Sequence, residues 1–222
     1  EEGESFKIME SVRKGKGLSP EYEQDMIAAD VPKWYIESCK KIKYMFPKAH
    51  AAAYVMMAWR IAYCKIYYPL EYYTAYFSIR ATGFSYELMC FGKEKVERAY
   101  MEIKNKSDAT AKEEDTARDL RIAQEMYARG YEFEPIDIYK AQAVRFQVTE
   151  NKKIMPALTS IDGLGESVAR QIAEAAARGE FISKDDFMNR AKVNKTICEQ
   201  MDKLGLLGNL PQSDQISIFD II

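Results

Sequence analysis

Residues 43–68 read KYMFPKAHAAAYVMMAWRIAYCKIYY, and from Lys48 onward neither Gly nor Pro interrupts them for about five helical turns. The segment is apolar nearly all round, which predicts a long helix with most of its length buried. Phe46-Pro47 marks a break just before it. Pro69 ends it and opens another helix, Leu70 to about Arg80. Lys48 and His50 fall in the first turn, where backbone N–H groups lack intrahelical partners and the helix dipole is positive. Ala49, Ala51, Ala52 and Ala53 set small side chains beside them, so a ligand can approach the backbone closely. His50 and Tyr54 lie one turn apart on one face. This arrangement suits a triphosphate or a base; the alternative is a buried histidine in an Ala-rich helix crossing.

Outward from this stretch, Ser19-Pro20-Glu21-Tyr22 opens a helix: Ser as N-cap, Pro in the first turn, acids near the positive end of the dipole. It is predicted to run to about Ala29, where Val31-Pro32 breaks it. A second helix covers Lys33 to Lys43. Further helices are expected from Tyr86 to Asn105 and from Ala109 to Ala128, with Arg129-Gly130 as a C-cap. Alternation in Ala143–Val148, then Asn151-Lys152, then Ile154-Met155 predicts a short hairpin. From Thr159 to Leu207 the pattern is helical with glycine punctuation, and a polar tail follows Pro211.

Composition narrows the function classes. The chain is 47% hydrophobic and carries 32 Lys+Arg against 34 Asp+Glu, so it does not have the makeup of a disordered chain. There is no run of about 18 apolar residues to span a membrane. The four cysteines, Cys39, Cys64, Cys90 and Cys198, are far apart with no CxxC, which points to neither a zinc ribbon nor a disulfide framework. A cytoplasmic setting is the expectation.

The net charge of −2 hides a local asymmetry. Between Lys33 and Lys65 there are seven cations (Lys33, Lys40, Lys41, Lys43, Lys48, Arg60, Lys65) and one acid, Glu37. Nine of the 15 tyrosines lie between Tyr35 and Tyr76. Arg13-Lys14-Gly15-Lys16-Gly17 is a second basic cluster. Cations with interleaved aromatics are the footprint of a phosphate-rich partner, because cations take phosphates and rings take bases. A solvated helix face with a tyrosine-rich core is the plainer alternative.

The strings KIKYMFPKAHAAAYV and RIAYCKIYYPLEYYTAYFS resemble the fingers subdomain of the bacterial replicative DNA polymerase III alpha subunit, in its PolC form. The resemblance continues upstream through IMESVRKGKGLSPE. The DnaE branch has a related FNKSHSAAYA pattern. In that branch an oligonucleotide-binding barrel follows the helix-hairpin-helix region, and no such run of strands is seen here.

Ile161-Asp162-Gly163-Leu164-Gly165-Glu166-Ser167-Val168 has the form of a helix-hairpin-helix turn. Two glycines let the backbone approach a phosphate, and the new helix offers free N–H groups to it. Such contacts position a duplex without reading its sequence. The family usually has Pro where Asp162 stands, so a negative charge is expected near the phosphates. Lys192–Leu207, ending Leu204-Gly205-Leu206-Leu207, is expected to be a degenerate partner unit. Finally, Gln215-Ile216-Ser217-Ile218-Phe219 resembles the peptide by which bacterial polymerases hold the sliding clamp. Gln215 and Ser217 make the polar part, and Ile218 and Phe219 fill an apolar pocket.

The expected fold class is mainly α. The expected domains are a helical fingers subdomain over residues 1–140, a duplex-DNA-binding helix-hairpin-helix domain with its small β-hairpin over 141–211, and a flexible clamp-binding tail over 212–222. The resemblance implies template-directed nucleotidyl transfer in which two Mg2+ ions, held by palm aspartates outside this chain, activate the primer hydroxyl. No catalytic or metal residue is assigned here, and the 222 residues alone are expected to be inactive. Lys43, Lys48 and His50 are expected near the triphosphate of an incoming dNTP. Tyr44, Phe46 and Tyr54 are expected to form the wall beside the nascent base pair, with Arg13, Lys14 and Lys16 facing nucleotide or template. Gly163, Leu164, Gly165 and Ser167 are expected at the duplex. The expected partners are thus primer-template DNA, dNTP and the sliding clamp, with no membrane. Ile222 is expected near the true C-terminus and Glu1 to be an incomplete start. The competing reading is a non-catalytic DNA-binding adaptor with a clamp-docking tail.

Overall fold

Ser19 caps its helix as the sequence requires: its hydroxyl accepts the Tyr22 N–H at 3.1 Å, and Pro20 occupies the first turn. A computed structural model describes residues 2–213. Three short helices, α1 (Glu2–Arg13), α2 (Pro20–Ala28) and α3 (Lys33–Lys41), come first. Val12, Met26, Ile36 and Cys39 are buried between them, with Ile8, Leu18, Val31 and Ile42 packed alongside. The long helix follows as α4 (Lys48–Tyr67). By packing, the chain divides within α4 into residues 1–62 and 63–222.

The expectation that α4 is mostly buried is overturned. None of its residues is buried. Trp59 is 76% exposed and Tyr54 66%, and Met56, Met57, Ile61 and Tyr67 also face water. An apolar sequence makes burial favourable but does not itself supply the covering surface. Among the described residues nothing supplies it.

In residues 63–222, α5 (Pro69–Ile79) is followed by the single turn α6 (Tyr86–Met89), then α7 (Lys93–Lys104) and α8 (Ala111–Ala128). The helix expected from Tyr86 to Asn105 is therefore two helices. Gly92, at φ +96, takes a conformation that L side chains rarely adopt and separates them. Thr110 and Glu113 form a reciprocal capping box at the start of α8. Tyr73, Phe77, Met89, Leu120, Met126 and Phe146 belong to the core of this layer. Asp119 of α8 is buried but satisfied, accepting from the Tyr76 hydroxyl at 3.0 Å and the Gly83 N–H at 2.8 Å. Gly83 must be glycine for another reason: a Cβ there would overlap the Thr116 amide nitrogen.

The hairpin pairs β1 (Gln147–Val148) antiparallel with β2 (Ile154–Met155), Gln147 opposite Met155. A 3-10 turn at Leu158–Ser160 leads to α9 (Glu166–Ala176), α10 (Lys184–Ala191) and α11 (Lys195–Lys203). Their core joins Ile161, Ile172, Phe187 and Met201 to Tyr86, Ile136 and Ile138. The second core also reaches from Tyr73 to Ile154. Both cores take in residues on either side of residue 140.

The last turn of α4 is tied to α8. Lys65 pairs with Glu125 at 2.7 Å, and Arg129 donates to the Lys65 carbonyl at 3.0 Å and the Tyr73 hydroxyl at 3.2 Å. Burial pushes the Glu125 carboxyl upward, but the Lys65 bond and charge outweigh it and hold it below the usual carboxylate range. The folded form of Glu125 thus binds its proton less readily than the unfolded form. Its contribution is present above the unfolded pKa and lost as pH falls through the folded one. Replacing Lys65 by Met is expected to start acid unfolding at a higher pH than in the parent chain, read by circular dichroism across an acid titration; an unmoved transition would refute the pairing. Gly83→Ala is expected to cost ~1–3 kcal/mol through overpacking, measured as a lower urea midpoint with unchanged slope.

Candidate nucleic-acid interface

Two groups of predicted residues are assembled, one in each packing unit. In residues 1–62, α1 ends at Arg13, and Gly15 and Gly17 turn the chain at φ +73 and +75. The turn lies hard against the approach to α4: the Met45 N–H donates to the Arg13 carbonyl at 3.1 Å, and a Cβ on Gly15 would overlap the Lys43 carbonyl oxygen. The structure thus brings Arg13, Lys14 and Lys16 beside Lys43 and Tyr44, which sequence order alone keeps thirty residues apart.

Four rings then follow one another over the start of α4. Tyr44 and Phe46 meet edge to face at 4.7 Å between centroids, Phe46 and His50 stack at 5.1 Å with planes 4° apart, and His50 and Tyr54 lie 4.6 Å apart. All four are exposed. Lys48 stands in the first turn, where three or so amide N–H groups have no intrahelical acceptor. The result is an exposed strip of π faces edged by cations and free amides, chemistry that takes a base on one side and a phosphate on the other.

The charge is smaller than the sequence count implies. Glu10, which sequence reading passed over, pairs with Arg13 at 2.7 Å and with Lys14 at 2.8 Å. The Arg13 bond, then the Lys14 bond, holds its carboxyl at about 2. Its spacing of three and four residues from those cations on one helix was the available signal. Lys40 is shared by Glu23 at 2.7 Å and Glu37 at 3.1 Å. Lys16, Lys43 and Lys48 make no ion pair among the described residues, and neither do Lys33, Lys41 and Arg60.

In residues 63–222 the predicted hairpin turn forms. Ile161 is 1% exposed and Leu164 6%, while Gly163, Gly165 and Ser167 face water. The Leu164 N–H closes the turn on the Ile161 carbonyl at 3.0 Å. Gly163 needs φ +80 and so needs glycine. Gly165 is the N-cap of α9 with no side-chain capping bond, and a Cβ on it would meet nothing within 4 Å. The first N–H groups of α9 therefore open onto bare backbone. A concavity of about 670 Å3 adjoins the turn, lined also by Thr82, Ser85, Lys112 and Thr159. Glu166, the one acid in the first turn of α9, is neutralised locally by Arg170 at 2.6 Å.

Asp162 does not point its charge freely at this surface: its carboxylate accepts from the Ser85 hydroxyl at 2.6 Å. Nothing in the sequence signals a partner 77 residues away. The second unit differs from its expected outline as well. Helices α10 and α11 pair through a turn at 192–194, with Lys192 at φ +54 and Asn194 capping the Ile197 N–H at 2.9 Å. Gly205 lies after α11, at φ +74, and not between paired helices. Gln215, Ser217, Ile218 and Phe219 fall outside the described residues.

Comparison with known proteins agrees with this geometry. A family model described as a helix-hairpin-helix motif matches residues 130–215. The chain is 51% identical over 216 residues to the DNA polymerase III PolC-type of Listeria monocytogenes and 49% identical over 216 residues to that of Bacillus subtilis. The relative named so from Clostridium perfringens is 49% identical over 217 residues. Each match covers 97% of this chain and 15% of the relative's length. With identity of this degree along nearly all of its residues, the chain belongs to the PolC-type DNA polymerase III family.

Proposed function

We propose that this chain is the part of a replicative DNA polymerase that receives the incoming dNTP and template, holds duplex DNA and docks the sliding clamp. The observation that carries the reading is the bare hairpin backbone at Gly163–Gly165, in a chain about half identical to PolC-type polymerases over 97% of its length. Gly163, Leu164, Gly165 and Ser167 hold the duplex by its backbone, without reading bases. Lys43, Lys48 and His50 take the triphosphate, and Tyr44, Phe46 and Tyr54 wall the nascent base pair. Arg13, Lys14 and Lys16 lie along the nucleotide or template, with Lys16 the one free of Glu10. These groups act by positioning and by stabilising developing negative charge.

Among the described residues no three His, Cys, Asp or Glu side chains gather as a metal site. In this reading no step on a metal ion is assigned to this chain, and nucleotidyl transfer with Mg2+ is proposed to rest on residues outside it. Clamp docking is carried by Gln215, Ser217, Ile218 and Phe219. The support is the peptide's form and its place in a polar segment.

Gly165→Val places a branched side chain where a phosphate must approach, and its Cβ meets nothing within 4 Å. It is expected to weaken binding to a mixed-sequence duplex by about 10-fold, the loss of one charge-assisted contact, with thermal stability unchanged. Duplex affinity should fall steeply with salt as counterions are released. A variant that binds like the parent, or a flat salt response, overturns the duplex reading. For the tail, Ile218→Ala with Phe219→Ala is expected to abolish clamp binding in surface plasmon resonance while duplex affinity stays unchanged; equal clamp affinity would refute it.

A further inference from the structure

Asp162 stands where turns of this kind usually carry proline, and two hydrogen bonds take proline's place. Its carboxylate accepts from the Ser85 hydroxyl at 2.6 Å, and its carbonyl accepts from the Gln200 side-chain amide at 2.7 Å. Ser85 is itself fixed. It is 7% exposed and caps α6, its oxygen receiving the Leu88 N–H at 3.4 Å. Two residues before it, the Gly83 N–H is held by buried Asp119, which also accepts from Tyr76. A connected string of bonded groups and short loop therefore runs from α5 and α8 to the hairpin turn, and on to α11.

A proline would stiffen the turn covalently by fixing φ. Aspartate leaves φ free, so the turn's rigidity must come from outside it. We propose that Asp162 is a positioning residue: pinned by Ser85 on one side and Gln200 on the other, it holds the Gly163–Gly165 backbone in its presenting geometry and fixes that edge to α5 and α8. The same bond resolves the charge problem. A carboxylate committed to the Ser85 hydroxyl is partly neutralised, which lessens its repulsion of an approaching phosphate. Rigid support beneath a contact matters because looseness of a fraction of an ångström weakens it. This inference rests on the reading of the hairpin as a duplex contact, and its test separates the two.

The test uses the 222-residue chain, a fluorescent mixed-sequence duplex, and amide hydrogen exchange at Gly163, Leu164 and Gly165. Ser85→Ala and Asp162→Ala are each expected to weaken duplex binding by about 3- to 10-fold, the worth of one net hydrogen bond, and to speed exchange at the turn. The double variant should be no weaker than either single one, as two ends of one bond require. The slope of affinity against salt should not change, since no phosphate contact is removed. Asp162→Asn keeps an acceptor without the charge and should restore slow exchange and most of the affinity. Unchanged exchange in Asp162→Ala, additive losses in the double variant, or tighter binding by Asp162→Ala would each overturn the pin. If Gly165→Val remains weakened in that event, the duplex reading stands and only the pin fails. If Gly165→Val binds like the parent, the duplex reading fails and the positioning role falls with it.

Discussion

Ile161 and Leu164 are driven out of water into one core with Ile172, Phe187 and Met201, and in a five-residue turn that leaves Gly163 and Gly165 outside. The hydrophobic burial of two side chains therefore creates the polar surface. It anchors the turn from beneath and exposes backbone N–H groups above, with no side chain to shield them. Burying a Leu or Ile is worth ~1.5–3 kcal/mol, more than the cost of an uncapped helix start at Gly165. The inner face of the turn determines what the outer face can do.

The opposite situation holds in α4. Its apolar residues meet water along its whole length, while its first turn carries Lys48 and His50. Soluble chains rarely leave so large an apolar surface uncovered. The chain spans 15% of the length of the relatives it matches. Two rings of the strip, His50 and Tyr54, share α4 with exposed Met and Ile side chains.

Local sequence signals were legible wherever the physics is local. Ser19-Pro20 and Gly130 begin and end helices where the sequence places them, and the strand pair appears at Gln147–Met155. The hairpin turn and the His50–Tyr54 spacing were equally plain, because both depend on neighbours one turn away. What failed depended on distant chain. Burial of α4 needs a partner surface that composition cannot reveal. Ser85 meets Asp162 only after the chain has folded α6 through α9. Gly92 is the instructive exception, since a lone glycine inside a helical pattern is tolerated as often as it breaks one.

Charge shows the same division between count and arrangement. Of the seven cations between Lys33 and Lys65, Lys40 is matched by two carboxylates and Lys65 by Glu125. In the adjoining turn Arg13 and Lys14 share Glu10. Pairing of exposed ions is weak, but it lowers the field that a distant phosphate meets, and screening removes what lies beyond about 8 Å. Close contacts then matter more than total charge. Lys43 and Lys48 make no ion pair among the described residues and stand beside the ring strip. A net charge of −2 is compatible with that, because recognition at this range is decided by which cations have been left without a partner.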